Sequence, residues 1–130
     1  MIFTHSSSPV IPITGRGDAR AFLEDPTADN LQFNTEIALE SHYGYLKNLG
    51  SSEAERILRS MFESRMLMFY EIRGDDLLEA AIISDEYSLK TNDAAIIANM
   101  LRNGVEGIAT DNVRDFSRYP GIEVYNPINR

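Results

Sequence analysis

Apolar positions along this chain fall in short runs separated by turn residues, and the period of the runs changes along the sequence. Residues 1–4 are mostly apolar and give way to His5 and three serines, which reads as a short strand running into a loop. Val10 to Ile13 extends that region, with Pro9 and Pro12 limiting its ladder bonds. Gly15 to Gly17 forms a turn, Asp18 caps a helix over Ala19 to Glu24, and Pro26 stops it. Leu31-Gln32-Phe33-Asn34 alternates as a strand does. Thr35 then caps a helix to Leu49, with Ile37, Leu39, Tyr43 and Leu46 as its apolar face and Gly50 as its close. Ser51 or Ser52 starts the next helix; Glu55 stands at capping-box distance from Ser52, and Ile57, Leu58, Met61 and Phe62 form the buried side.

Leu67 to Ile72 is an apolar and aromatic run suited to a buried strand. Asp75 and Asp76 open a helix whose Leu77, Leu78, Ala81 and Ile82 are expected to face inward. Thr91 caps another, in which Ala94, Ile97, Ala98 and Leu101 recur at helical spacing before Gly104. Val105 to Thr110 is a strand, Val113 to Arg118 a helical turn, and Ile122 to Tyr125 a last strand before Pro127. Short strands alternating with helices predict an α/β sandwich around a mostly parallel sheet. In such sheets, sites form at the carboxyl ends of the strands.

Composition narrows the class. With 130 residues, 43% of them hydrophobic and 25% charged, the chain makes one globular domain spanning 1–130. No cysteine is present, which excludes a disulfide scaffold and thiolate metal sites and fits a cytoplasmic protein. No run of 18 apolar residues predicts a membrane helix, and the N-terminal stretch lacks the positive region of a secretory signal. The net charge of −8 repels phosphate backbones, so tight nonspecific nucleic-acid binding is not expected. A nuclease that bridges its carboxylates to a phosphate through cations remains compatible with that charge.

Several carboxylates fall where such cations bind. Glu40 lies within a helix, Asp93 in the first turn of a helix, and Asp111 and Asp115 just after a strand. Mg²⁺ and Mn²⁺ take hard oxygen ligands of this kind. The bland alternative is that these acids serve caps and helix dipoles, as most acids at helix starts do.

The stretch from Ser88 through Asn92-Asp93-Ala94-Ala95 to Ala98, followed by Gly107-Ile108-Ala109-Thr110-Asp111-Asn112-Val113-Arg114-Asp115-Phe116, resembles the C-terminal half of PIN domains. It is most similar to the VapC-type toxins of archaea and bacteria. Ile122 to Pro127 resembles the family's final strand, and Phe33 to Glu40 the helix that carries its second acid. The resemblance implies a three-layer PIN-like sandwich with helices flanking the sheet. It also implies a Mg²⁺- or Mn²⁺-dependent endoribonuclease acting on RNA, a cognate antitoxin as partner, and a homodimer. Residue by residue, it implies that Asp93, Glu40 and Asp115 bind the cation, with Thr110 and Asn112 orienting ligands or water; Asp111 is a spacer.

The departure is at the start, where His5 falls on the position at which the family's first strand carries Asp. Imidazole is a poor Mg²⁺ ligand and a fair Mn²⁺ one. Two functions follow. Either the chain is a nuclease in which His5 joins an altered metal site, or it is a catalytically degenerate PIN domain that binds protein or RNA. His42, two residues from Glu40 and so on another helix face, reads as structural or exposed. The methionines read as core or interface filler, and Tyr43, Tyr45 and Phe69 as packing or a dimer face. Gly15-Arg16-Gly17 is too short for a phosphate cradle, and the serines lack a hydrolase elbow.

Overall fold

The computed structural model describes residues 3–5, 31–65, 67–110 and 112–126. The strand expected at 10–13 and the helix expected at 19–24 lie outside them. Five strands and five helices are described: β1 Phe3–His5, β2 Leu31–Asn34, α1 Thr35–Leu49, α2 Ser51–Glu63, β3 Leu67–Tyr70, α3 Gly74–Tyr87, α4 Thr91–Arg102, β4 Gly107–Ala109, α5 Val113–Phe116 and β5 Glu123–Tyr125. The strands form one sheet in the order β3-β2-β1-β4-β5. β2 pairs parallel to β3, and β4 parallel to β5, while β1 runs antiparallel to both of its neighbours. Four strands therefore share one direction, and their carboxyl ends lie along one edge of the sheet. The sheet is mostly parallel, as expected, with a reversed strand at its centre. Three residues of alternating character do not encode a direction, so the sequence left that reversal open.

The core is built around α4. Every residue from Asp93 to Met100 is buried, with Ile96, Ile97 and Met100 fully so. Ala94, Ala95 and Ala98 are small enough to let α3 and α1 pack closely on this helix. Phe33, Ile37, Ile108 and Phe116 close the core from the sheet and its flanks. Each fully buried side chain of this size stabilises the fold by about 1.5–3 kcal/mol.

Where helices begin, the expected caps are displaced by one residue or replaced. Asn34, not Thr35, caps α1: its Oδ1 accepts from the Ile37 backbone N–H at 3.0 Å. Thr35 instead accepts from the Ile72 N–H at 2.9 Å, pinning the start of α1 to the loop after β3. No Ser52 box forms on α2, whose N-cap is Gly50; Glu55 pairs with Arg59 at 2.7 Å along the exposed helix face. The N-cap of α4 is Lys90, with Thr91 the first helical residue.

The inward faces also differ from the simple pattern. On α3 the buried stripe is Asp76, Ala80 and Ile83, leaving Leu77, Leu78 and Ile82 exposed. On α1 it is Ile37, Ala38, Ser41 and Tyr45, leaving Leu39, Tyr43 and Leu46 exposed. Both helices carry two apolar stripes, and periodicity alone does not say which of two meets the core. β3 is the outermost strand of the described sheet, and Met68 and Phe69 on it are exposed rather than buried. Phe69 stacks with Phe33 and Phe62, at centroid distances of 5.2 and 4.8 Å, which ties β3 to α2.

A buried polar network holds α4 to its neighbours. Asp76 is 2% exposed and receives Arg102 Nε at 2.7 Å, Arg102 Nη2 at 3.0 Å and the Arg73 backbone N–H at 3.0 Å. Asn99 donates to Asp76 at 3.2 Å and to the Glu71 carbonyl at 2.9 Å, and accepts from Asn34 at 3.2 Å. The sequence presents Asp76 only as an acid at a helix start; its burial and its partner 26 residues away are tertiary facts.

Gly50 joins α1 to α2 with φ 87° and ψ 170°, a region essentially restricted to glycine. Gly50→Ala is therefore expected to destabilise the fold by about 1–3 kcal/mol, measured as a lower midpoint in urea denaturation. An unchanged midpoint would mean that the junction relaxes freely.

Candidate metal centre

α1 and α4 pack together at the edge where the parallel strands end, and their facing turns carry the acids. Glu36 and Glu40 lie one helical turn apart on α1, so both project from the same face. Across from them stand Asn92 and Asp93 in the first turn of α4. The Asn92 amide donates to Glu40 Oε1 at 2.9 Å, and its dipole works to lower the Glu36 carboxyl as well.

Asp93 is buried, at 5% exposure. Burial raises its carboxyl above the ordinary value, repulsion from Asp115 adds to that, and Lys90 opposes it. Glu40 is raised by burial and then by Glu36, with the Asn92 hydrogen bond working the other way. Glu36 is raised by burial against the same Asn92 amide. Glu40 and Asp93 also repel each other. The fold thus holds several like charges, partly desolvated, on one surface, an arrangement whose energy falls when a cation arrives.

The loop after β4 supplies the remaining groups. Thr110 is fully buried, and its Oγ1 accepts from the Asn112 backbone N–H at 2.9 Å. The Asn112 side-chain amide donates to Asp115 Oδ2 at 3.1 Å. Arg118 approaches the other Asp115 oxygen at 3.7 Å. Thr110 and Asn112 therefore shape this loop and steer Asp115.

The structure brings Glu40, Asp93 and Asp115 to one electrostatically coupled face, with Thr110 and Asn112 beside them. The backbone of His5 lies at another level of the sheet. His5 pairs in register with Leu31 and Gly107, the first residues of β2 and β4, whereas Thr110 follows the last residue of β4. Three residues of strand separate the two levels, roughly 10 Å. Among the described residues, no three acidic or histidine side chains stand close enough to hold one ion directly. The donor chemistry nevertheless suits a hard divalent cation that keeps most of its waters: all the groups are oxygen donors, and Mg²⁺ commonly uses only one or two carboxylates. Glu36 and Asn92 are the site residues that the motifs passed over. The available signal for Glu36 was its spacing of four from Glu40.

Comparison with known proteins bears on the family and the fold. The PIN domain family model matches residues 13–122. A chain from a toxin–antitoxin complex of Klebsiella pneumoniae superposes with a TM-score of 0.64 at 25% identity, over 88% of this chain and 87% of that one. A chain from DNA-bound VapBC of Salmonella typhimurium gives 0.66 at 18% identity, over 87% and 86%. One from VapBC2 of Rickettsia felis, bound to a promoter DNA fragment, gives 0.57 at 16% identity, over 72% and 71%. No curated protein matches the chain. With a family match across most of its length, a sheet of the expected composition and a shared acidic face, the chain belongs to the PIN domain family.

Proposed function

We propose that this PIN domain is a divalent-cation-dependent endoribonuclease of the VapC type, acting in the cytoplasm and restrained by an antitoxin protein. The observation that carries this is the buried Asp93, set between Glu40 on α1 and Asp115 after β4 and charged against both. Asp93, Glu40 and Asp115 would hold Mg²⁺ or Mn²⁺. When bound, such an ion supplies Lewis acidity toward a phosphoryl oxygen and neutralises phosphate charge. The chain's own groups do the rest of the positioning. Asn92 orients Glu40, Asn112 orients Asp115, and Thr110 fixes the loop that carries Asn112. The net charge of −8 gives RNA little attraction to the bare protein, so substrate binding should depend on the cation.

Partner binding has support in the surface. α1 and α3 expose Leu39, Tyr43, Leu78 and Ile82. An apolar groove lined by Ala38, Leu39, Leu58, Phe62 and Phe69 opens beside α1. Exposed apolar stripes of this kind suit an antitoxin segment or a second copy of the chain. No described helix is long and apolar enough to cross a membrane.

Incubating the purified chain with single-stranded RNA and Mg²⁺ or Mn²⁺ tests the proposal. Cleavage should appear with the metal, stop with EDTA, and return on adding excess cation. Intact RNA under every metal condition would remove the nuclease assignment. It would favour the other role, a PIN scaffold that binds protein or RNA without chemistry. The backbone register that sets His5 three residues away from the level of Thr110 supports that second role.

A further inference from the structure

We propose that the outer face of α3 docks a basic amphipathic helix of a partner protein. This face lies outside the candidate metal centre, and its occupation does not depend on whether the chain cleaves RNA. α3 turns Asp76, Ala80 and Ile83 into the core. Its other side carries Leu77, Leu78 and Ile82, exposed by 55%, 71% and 57%, with Ala81 exposed among them. Leu78 and Ile82 stand one turn apart, as do Leu77 and Ala81, so these residues form one continuous apolar strip along the helix. Acids edge that strip. Asp75, Glu79 and Glu86 follow one another at helical spacing beside Leu78 and Ile82, and Asp85 closes the strip at its C-terminal end. All of these acids are exposed. No Lys, Arg or His occurs between Arg73 and Lys90. Of the bases near the helix, Arg102 is committed to the buried Asp76, and Arg118 donates to the Ser88 carbonyl at 2.7 Å.

Charge selects the occupant. The exposed strip calls for an apolar partner surface. A second copy of α3 would bring the same acids against themselves, with no base along either helix to answer them, which costs affinity. Nucleic acid and an anionic lipid surface are repelled by the same charges. A helix with Leu or Ile anchors on one face and Lys or Arg beside them meets both features at once. Its anchors cover Leu78 and Ile82, and its long basic side chains lie along the strip and reach Asp75, Glu79 and Glu86 with their charged ends. On α1 the exposed Leu39, Tyr43 and Leu46 adjoin Lys47 as well as glutamates, so charge there does not select in the same way.

Fluorescence anisotropy of the full chain with dye-labelled synthetic peptides tests this. One peptide is an amphipathic Leu/Lys helix; the other carries Glu in place of every Lys. Wild type should bind the Leu/Lys peptide, more weakly as salt is raised, and leave the Leu/Glu peptide unbound. Leu78→Ser with Ile82→Ser, and Glu79→Gln with Glu86→Gln, should each weaken binding about tenfold or more. Leu39→Ser with Tyr43→Ser on α1 should bind as wild type does. Every changed side chain is exposed, and urea unfolding of each variant serves as the folding control. Equal binding by the α3 variants, loss in the α1 variant instead, or no binding by wild type would overturn the assignment. So would a dimer in light scattering that Leu78→Ser with Ile82→Ser reduces to monomer, because a second copy is then the occupant.

Discussion

Asp93→Asn is expected to lower metal-dependent RNA cleavage by on the order of 10²–10³-fold, the scale at which a preorganised charge at a reacting centre matters. Asp93 is the acid to choose because it is the most buried of the candidates and couples to groups on both sides of the centre. The substitution keeps shape and removes charge. It should not harm the fold. Burial and Asp115 raise the carboxyl of Asp93 in the folded state, so its ionised form opposes folding at neutral pH. The neutral amide removes that cost, and the variant should resist urea as well as wild type or better when no cation is present. Lost cleavage with retained or increased stability would identify a group kept for chemistry at the expense of the fold. Lost cleavage together with lost stability would mean that Asp93 supports α4, and the activity would say nothing about the cation.

The second large effect belongs to the other end of α4. Asp76→Ala should destabilise the protein by about 3 kcal/mol in urea or thermal unfolding. That is the low end for breaking a buried ion pair, because the Arg102 side chain is partly exposed. The loss comes from donors left without this acceptor: the Arg102 Nε–H, the Arg73 backbone N–H and one proton of Asn99. Acid should reveal the same group. Burial pushes the Asp76 carboxyl up, but Arg102, the Arg73 N–H and Asn99 outweigh it and hold it at about 2, against an ordinary value of 3.8. A depressed folded value means stability that is fully present above 3.8 and lost as pH falls toward about 2. The difference corresponds to about 2 kcal/mol. Glu36, Glu40 and Asp93 carry the opposite sign: their raised values add stability as they become protonated. Wild type should therefore hold or gain stability on mild acidification and lose it steeply below pH 3.8, and Asp76→Asn should lack that steep loss. Parallel pH profiles for the two proteins would show that Asp76 does not carry it.

Much of this architecture was legible in the chain. Helix boundaries such as Thr35 to Leu49 follow from period and punctuation, and the sequence predicts that span with its cap one residue late, at Thr35 instead of Asn34. The acids after β4 and at the start of α4 are legible because the residues around them resemble a family pattern. Other features were hidden for identifiable reasons. Leu78 and Ile82 form as good a stripe as the buried one, and only the position of α4 decides that Ala80 and Ile83 face inward. Asn34 and Thr35 both make good caps, and Asn34 takes the role because its amide oxygen can cap while its amide nitrogen donates to Asn99. Glu36 was hidden because a glutamate in a first turn already has a routine explanation in the helix dipole.

Strand β3 has a consequence beyond the site. It ends the described sheet on one side, so the backbone groups on its outer side have no described strand to pair with. Among the described residues, Phe62 from α2 stacks on Phe69 over the face of this strand, and Arg65, Glu71 and Arg73 place charges at its two ends. If α2 frays, Leu67-Met68-Phe69-Tyr70 becomes a sticky template of high β-propensity, held back among the described residues by those flanking charges. Loss of native protein during concentration or heating should therefore begin with intermolecular strand pairing here, well before the buried helix at the centre of the fold gives way.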